Sequence, residues 1–196
     1  MRQHKGKNIL IRARDCQRGT AAMELSLLMA IIMVPLYFAL LEISDAMTIN
    51  RRVATSVNTL ADLTAQSTEL SPSDFSALVL GVEGMLEPQD TSTLSIKVVS
   101  VVLDNNKPVV HWSRSRNPDG SLSEPYAAGA QFSNLGDNAL LTDVPSLIVV
   151  EMTYDHKPLI MKQVFQSVIQ FKRNSIRYPR LSDKVQFCPT PGTCTT

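Results

Sequence analysis

Hydrophobic and polar residues are unevenly spread along this 196-residue chain, and the unevenness predicts its elements. From Leu25 to Leu41 there are 17 consecutive residues without a charge, rich in Leu, Met, Ile and Ala. That is the short end of the roughly 17–25 residues with which a helix spans a bilayer. Counted from Ala21 to Ile43 at ~1.5 Å per residue, the rod is about 34 Å long. Beyond it, Ile49, Val53, Val57, Leu60 and Leu63 recur at spacings of three and four, the mark of one face of an amphipathic helix. No glycine interrupts residues 20 to 70, so one long helix is expected there. Pro35, its only proline, costs a backbone hydrogen bond and is expected to bend it, which membrane helices tolerate better than soluble ones.

The second half of the chain has a different texture. "SPSDFSALVLGVEGML" opens with Ser71 as an N-cap, Pro72 at the first helical position and Asp74 in the first turn, which predicts a short helix. "TLSIKVVSVVL" (93–103) and "PVVHWSR" (108–114), joined by the turn residues "DNNK", read as a hairpin. "SRNPDGSLSE" reads as a loop, and residues 126–143 leave a short helix open. Residues 146–155 and 166–176 read as two more strands, the first buried on both faces at its start. A sheet must cover its apolar face, and the second half of the first helix is the long amphipathic element available for that. The expected class is therefore α+β, a transmembrane helix that continues into an amphipathic helix packed on a small antiparallel sheet. No internal repeat or low-complexity tract breaks this plan.

Charge sets the expected topology. Residues before Thr20 carry Arg2, Lys5, Lys7, Arg12, Arg14 and Arg18 against Asp15, a net +5, whereas Glu42, Asp45, Arg51 and Arg52 beyond the apolar run cancel. Positive charge stays cytoplasmic, so residues from about 44 onward are expected outside the cytoplasm. A cleaved secretory signal would have a shorter apolar region ending in a small-residue site, and "LEISDAMTINRR" offers none. The chain's +1 minus the leader's +5 leaves −4, a balance that does not invite nucleic acid. Cys188 and Cys194 would then lie in an oxidising space, where a local disulfide is expected, with free thiols on a loose tail as the alternative. Cys16 is expected on the reducing side.

Candidate chemistry is sparse. His4, His111 and His156 form no H-x-x-x-H, and there is no G-x-S-x-G or phosphate-binding loop, so neither an enzyme nor a bound cofactor or metal is expected. Trp112 with Arg114 and Arg116 in "HWSRSR" admits ring stacking, although a Trp on a half-buried strand ordinarily packs. Glu24 stands out. A carboxylate at a bilayer centre costs roughly 2.5–3.5 kcal/mol and less toward the interface, so it persists near the edge or with a partner. Snorkelling to headgroups would be one way to meet that need.

Arg18, Gly19, Thr20 and Glu24, followed by an apolar helix behind a basic leader, resemble the signal of type IV pilin-like proteins. More narrowly, "RGTAAMELSLLMAIIMVPLYFALLEI" resembles the TadE/TadG-like proteins of tight-adherence (Tad) pili, with Leu25 where Phe is common. "VVEMTYDHKPLI" and "SIRYPRL" also look like that family, although Tyr178 interrupts the latter. The resemblance is dense over 18–43 and thin elsewhere. It implies a minor pilin-like (pseudopilin) subunit cut by a prepilin peptidase after Gly19, which leaves a new amine at Thr20 to pair with Glu24. It divides the chain into a leader (1–19), a transmembrane helix (20–43) and an extracytoplasmic domain (44–196). The implied partners are other pilin-like subunits, the assembly platform, the peptidase and the bacterial inner membrane, with the C-terminal domain periplasmic or carried into a surface pilus. The alternative is an uncleaved, signal-anchored binding or adhesion domain.

Overall fold

The structure, a computed structural model, describes residues 17–105, 107–135, 141, 144–158, 168–190 and 193–194. Residues 1–16 of the expected leader, with His4 and Cys16, lie outside these. So do 166–167 of the last expected strand. By internal contacts the chain divides into two units, one ending at Ser44 and one starting at Asp45.

A single helix, α1 (Gln17–Ala65), runs through Pro35 and across the boundary between the two units. In its second half Ile49, Val53, Ser56, Val57, Leu60, Ala61, Thr64 and Ala65 are buried. Leu63 is 44% exposed and does not continue the stripe assigned to it from the sequence. The face passes from Leu60 through Ala61 and Thr64, small or polar residues that a count of large apolar side chains overlooks. The helix also stops at Ala65, short of 70: the N–H groups of Gln66 and Ser67 turn back to the carbonyls of Asp62 and Thr64. Two residues later the chain is extended, and β1 (Glu69–Leu70) pairs in parallel with β7 (Gln186–Phe187).

Helix α2 (Pro72–Leu86) starts where its sequence says. The Ser71 hydroxyl accepts the Asp74 N–H at 3.2 Å and the Asp74 carboxylate accepts the Ser71 N–H at 3.0 Å, a reciprocal capping box. These bonds favour the ionised carboxylate and hold Asp74 below its ordinary value, the Ser71 hydroxyl contributing most. Phe75, Val79, Val82 and Leu86, at spacings of four, three and four, are its buried face.

The sheet consists of β2 (Ser95–Asp104), β3 (Lys107–Arg116), β4 (Leu122–Ser123), β5 (Ser146–His156) and β6 (Ile169–Arg177). Their order is β4-β3-β2-β5-β6, all antiparallel. The expected β2–β3 hairpin forms, with Asp104 opposite Lys107 and Asn105 at φ 48°, a conformation that Asn tolerates better than most residues. The Asn-Pro-Asp-Gly loop turns at Gly120, φ 81°, where a side chain would be strained. Register shifts at Ser100/Val101 and leaves His111 as the extra residue of a bulge.

Both faces of the sheet are covered. On one, Ile96, Val98, Trp112, Ile148, Val150, Met152 and Tyr154 pack with the buried residues of α1 and α2. On the other, Val99, Val101, Val110, Leu147 and Val149 pack under Phe132, Leu135 and Leu141. The start of β5 is thus buried on both sides, Ser146 to Val150 without a break. Residues 126–135 of the covering segment are not helical. Its backbone bonds along the end of β3 (Gly129 N–H to Val110, Val110 N–H to Ala130, Phe132 N–H to Pro108) and lowers Phe132 onto the sheet. Residues 136–140 and 142–143 of it lie outside the described set.

Candidate functional site

The residues singled out by the sequence fall on both units. Gly19, Thr20 and Glu24 lie in the first turns of α1 and are exposed. Thr20 and Glu24 are four positions apart, which puts them one above the other on one helix face. A Cβ built at Gly19 meets nothing within 4 Å. Glycine costs a helix roughly 1 kcal/mol relative to alanine, so neither packing nor helix formation calls for it at this position.

From Met23 to Ile43 the helix carries apolar side chains all round, with Glu24 near one end and Glu42 near the other. Large side chains there are 39–66% exposed, Met23 and Leu27 most of all. A contiguous apolar surface of this kind marks a site of membrane or protein contact. This helix is long and apolar enough to cross a membrane. Pro35 sits within it.

Cys188 and Cys194 are joined by a disulfide. The Cys188 N–H donates to the Leu70 carbonyl at 2.9 Å, so the closed loop hangs directly on the β1–β7 pair. Glu69 lies beside the two sulfurs, but these are bonded to each other and offer no thiolate to a metal.

The remaining sequence candidates are spent on packing. Trp112 is 3% exposed, donates its indole N–H to the Val185 carbonyl at 2.7 Å and tilts against Phe187 with centroids 5.5 Å apart. Arg114 lies 3.9 Å over the Phe187 ring and pairs with Glu124. Arg116 reaches Glu83 of α2 at 2.6 Å and the Leu94 carbonyl at 2.6 Å. No open ring is left to stack on a ligand in "HWSRSR". His156 ends β5 and is buried, with Nε2 3.6 Å from an Asp45 oxygen and its ring centroid 6.3 Å from that of Phe171. Asp155, its sequence neighbour, instead accepts from Gln170.

A polar seam that the sequence did not reveal ties β6 and the segment after it to α1. Arg173 donates to Asn50 at 2.7 and 3.1 Å, Ser175 to Asn58 at 2.9 Å, and Arg180 pairs with Asp62. Asn50, Asn58 and Asp62 are spaced eight and four apart, one helical face, but polar periodicity alone does not say what it will meet.

No family model matches the chain, and neither a curated protein nor a solved structure matches it.

Proposed function

We propose that this chain is a minor pilin-like subunit of a Tad-type pilus system, anchored in the bacterial inner membrane and processed by a prepilin peptidase after Gly19. The observation that carries this reading is Gly19 itself, a glycine in a helix with open space around it, immediately before an exposed apolar helix. The fold gives no reason for glycine, whereas a protease that must seat the backbone closely gives one.

Cutting there has electrostatic consequences. In the uncut chain Glu24 is the eighth residue of α1; once residues through Gly19 are gone it is the fifth, close to the positive end of the helix dipole. The cut also creates a positive amine at Thr20, on the face Glu24 occupies. Amine and carboxylate, from one subunit or from two neighbours, neutralise each other where water is scarce. Losing the basic leader removes charges that would be costly to draw through lipid, which lets the helix leave the bilayer and pack with others.

N-terminal sequencing of the protein from cells with the cognate prepilin peptidase tests this. A mature terminus at Thr20, abolished by Gly19→Val, is the expected result. Because a side chain at 19 meets nothing, loss of cutting would report on recognition and not on folding. An intact Met1 terminus would sink the proposal in favour of an uncleaved anchored binding domain. Glu24→Ala is expected to leave cutting intact and to weaken incorporation into the fibre; unchanged assembly would refute the amine pairing.

A further inference from the structure

A groove of about 280 Å³ opens between α1 and α2, lined by Thr48, Arg51, Arg52, Thr55 and Ser56 of the first and Met85 of the second. We infer that it holds the phosphate of an anionic lipid headgroup. The inference rests on α1 being membrane-inserted, and not on processing at Gly19.

Four features point to such a ligand. Neither guanidinium is ion-paired among the described residues, and Arg52 spends one N–H on the Glu87 carbonyl while Arg51 has no hydrogen-bond partner there. Two adjacent guanidiniums with free donors are the arrangement that grips phosphate oxygens in pairs. Second, Ser56 is fully buried and its Oγ has no hydrogen-bond partner, an unfavourable state for a hydroxyl unless something polar enters the groove it lines. Third, the Thr55 hydroxyl lies on the same wall, and the Met85 side chain, 37% exposed, adds an apolar side suited to glycerol and acyl carbon.

The fourth feature is position. Arg51 is the eighth residue after Ile43 in the sequence, so a chain inserted through its apolar segment brings both arginines out shortly after the lipid. A phosphate free in solution would satisfy the same donors, but it would not account for two arginines placed so soon after a membrane-spanning segment in the sequence.

The test uses the full-length chain purified in detergent and titrated with phosphatidylglycerol or phosphatidylcholine, with retained lipid read by native mass spectrometry. Phosphatidylglycerol is expected to be held about tenfold more tightly, and Arg51→Ala/Arg52→Ala to abolish that preference. Ser56→Ala should weaken retention about tenfold, the loss of one bond to a charged group, while Arg173→Ala outside the groove leaves it unchanged. Thermal melts of each variant separate lost binding from lost folding. If the double variant is unfolded, Arg51→Gln alone decides, with the same loss of preference expected. Undiminished preference in a folded arginine variant overturns the inference. So does inorganic phosphate that binds in the groove while the two lipids are retained equally, which would assign the site to the free anion. The Gly19→Val chain, locked uncut, should retain lipid like the parent, so a failure of processing and a failure of the groove are read separately.

Discussion

The two halves of α1 share one backbone and obey opposite rules. In the first, apolar side chains surround the helix and stay exposed, Leu27 at 65% and Leu40 at 58%. In the second, Val53, Leu60 and Ala61 are at 0%, and Asn50, Asn58 and Asp62, along the flank of that face, bond to β6 and its continuation. Helix propensity does not distinguish them; their surroundings do. The second half finds its solvent inside the protein. The first half has none among the described residues of its own unit, and an apolar surface of this size is the kind that lipid or other helices cover.

Mutations placed on either side of Ser44 test that contrast. The largest effect is expected from Phe75→Ala, which empties the core under the second half and should cost about 3–5 kcal/mol in denaturant unfolding while leaving membrane fractionation unchanged. Next, Ile31→Asp should cost insertion roughly 2.5–3.5 kcal/mol, seen as protein lost from the membrane fraction, while the melting of the domain from Asp45 on stays put. If Ile31→Asp lowered that melting as much as Phe75→Ala, the two halves would not be independent and the contrast would fail. Removing the disulfide with Cys188→Ser and Cys194→Ser should cost about 2 kcal/mol, the amount expected for so short a closed loop, and only in the second unit.

The smallest effect concerns pH. Burial, and then the charge of Lys184, push the His111 imidazole below its ordinary value, so the fold disfavours the protonated ring. The domain then has its full stability above about pH 6.5, where His is neutral folded or unfolded, and loses some as pH falls from there toward the folded value. His111→Gln should flatten that slope in melts taken on either side of the range. A slope unchanged in the variant would assign the acid sensitivity to another group.

Signals carried by neighbouring residues were legible in the sequence. Ser71, Pro72 and Asp74 announce α2, and the unbroken burial of residues 146–150 reflects their apolar run. Signals that depend on which elements meet were not. Leu63 scored as core because it is large, while the true stripe runs through Ala61, Thr64 and Ala65, whose burial is decided by how close the sheet comes. Residues 126–135 kept a helix open because they carry few strand formers, yet they are ordered by hydrogen bonds to β3 that no local pattern encodes. The β1–β7 pair joins two dipeptides far apart in sequence and too short to register as strands. Gly19 and Glu24 were conspicuous for the opposite reason, since both break the rules of the element that contains them.

That distant pairing bears on the order of events during synthesis. The Leu70 carbonyl waits for the Cys188 N–H, and Trp112 waits for Val185, 73 residues later, before its indole is satisfied. The core around Phe187 therefore cannot close until nearly the whole chain has emerged. If the second unit is exported, it crosses as an open chain and folds only on arrival. A chain halted shortly before residue 185 would leave Trp112 and the adjoining end of α1 uncovered, fit for a chaperone or a protease and not for assembly.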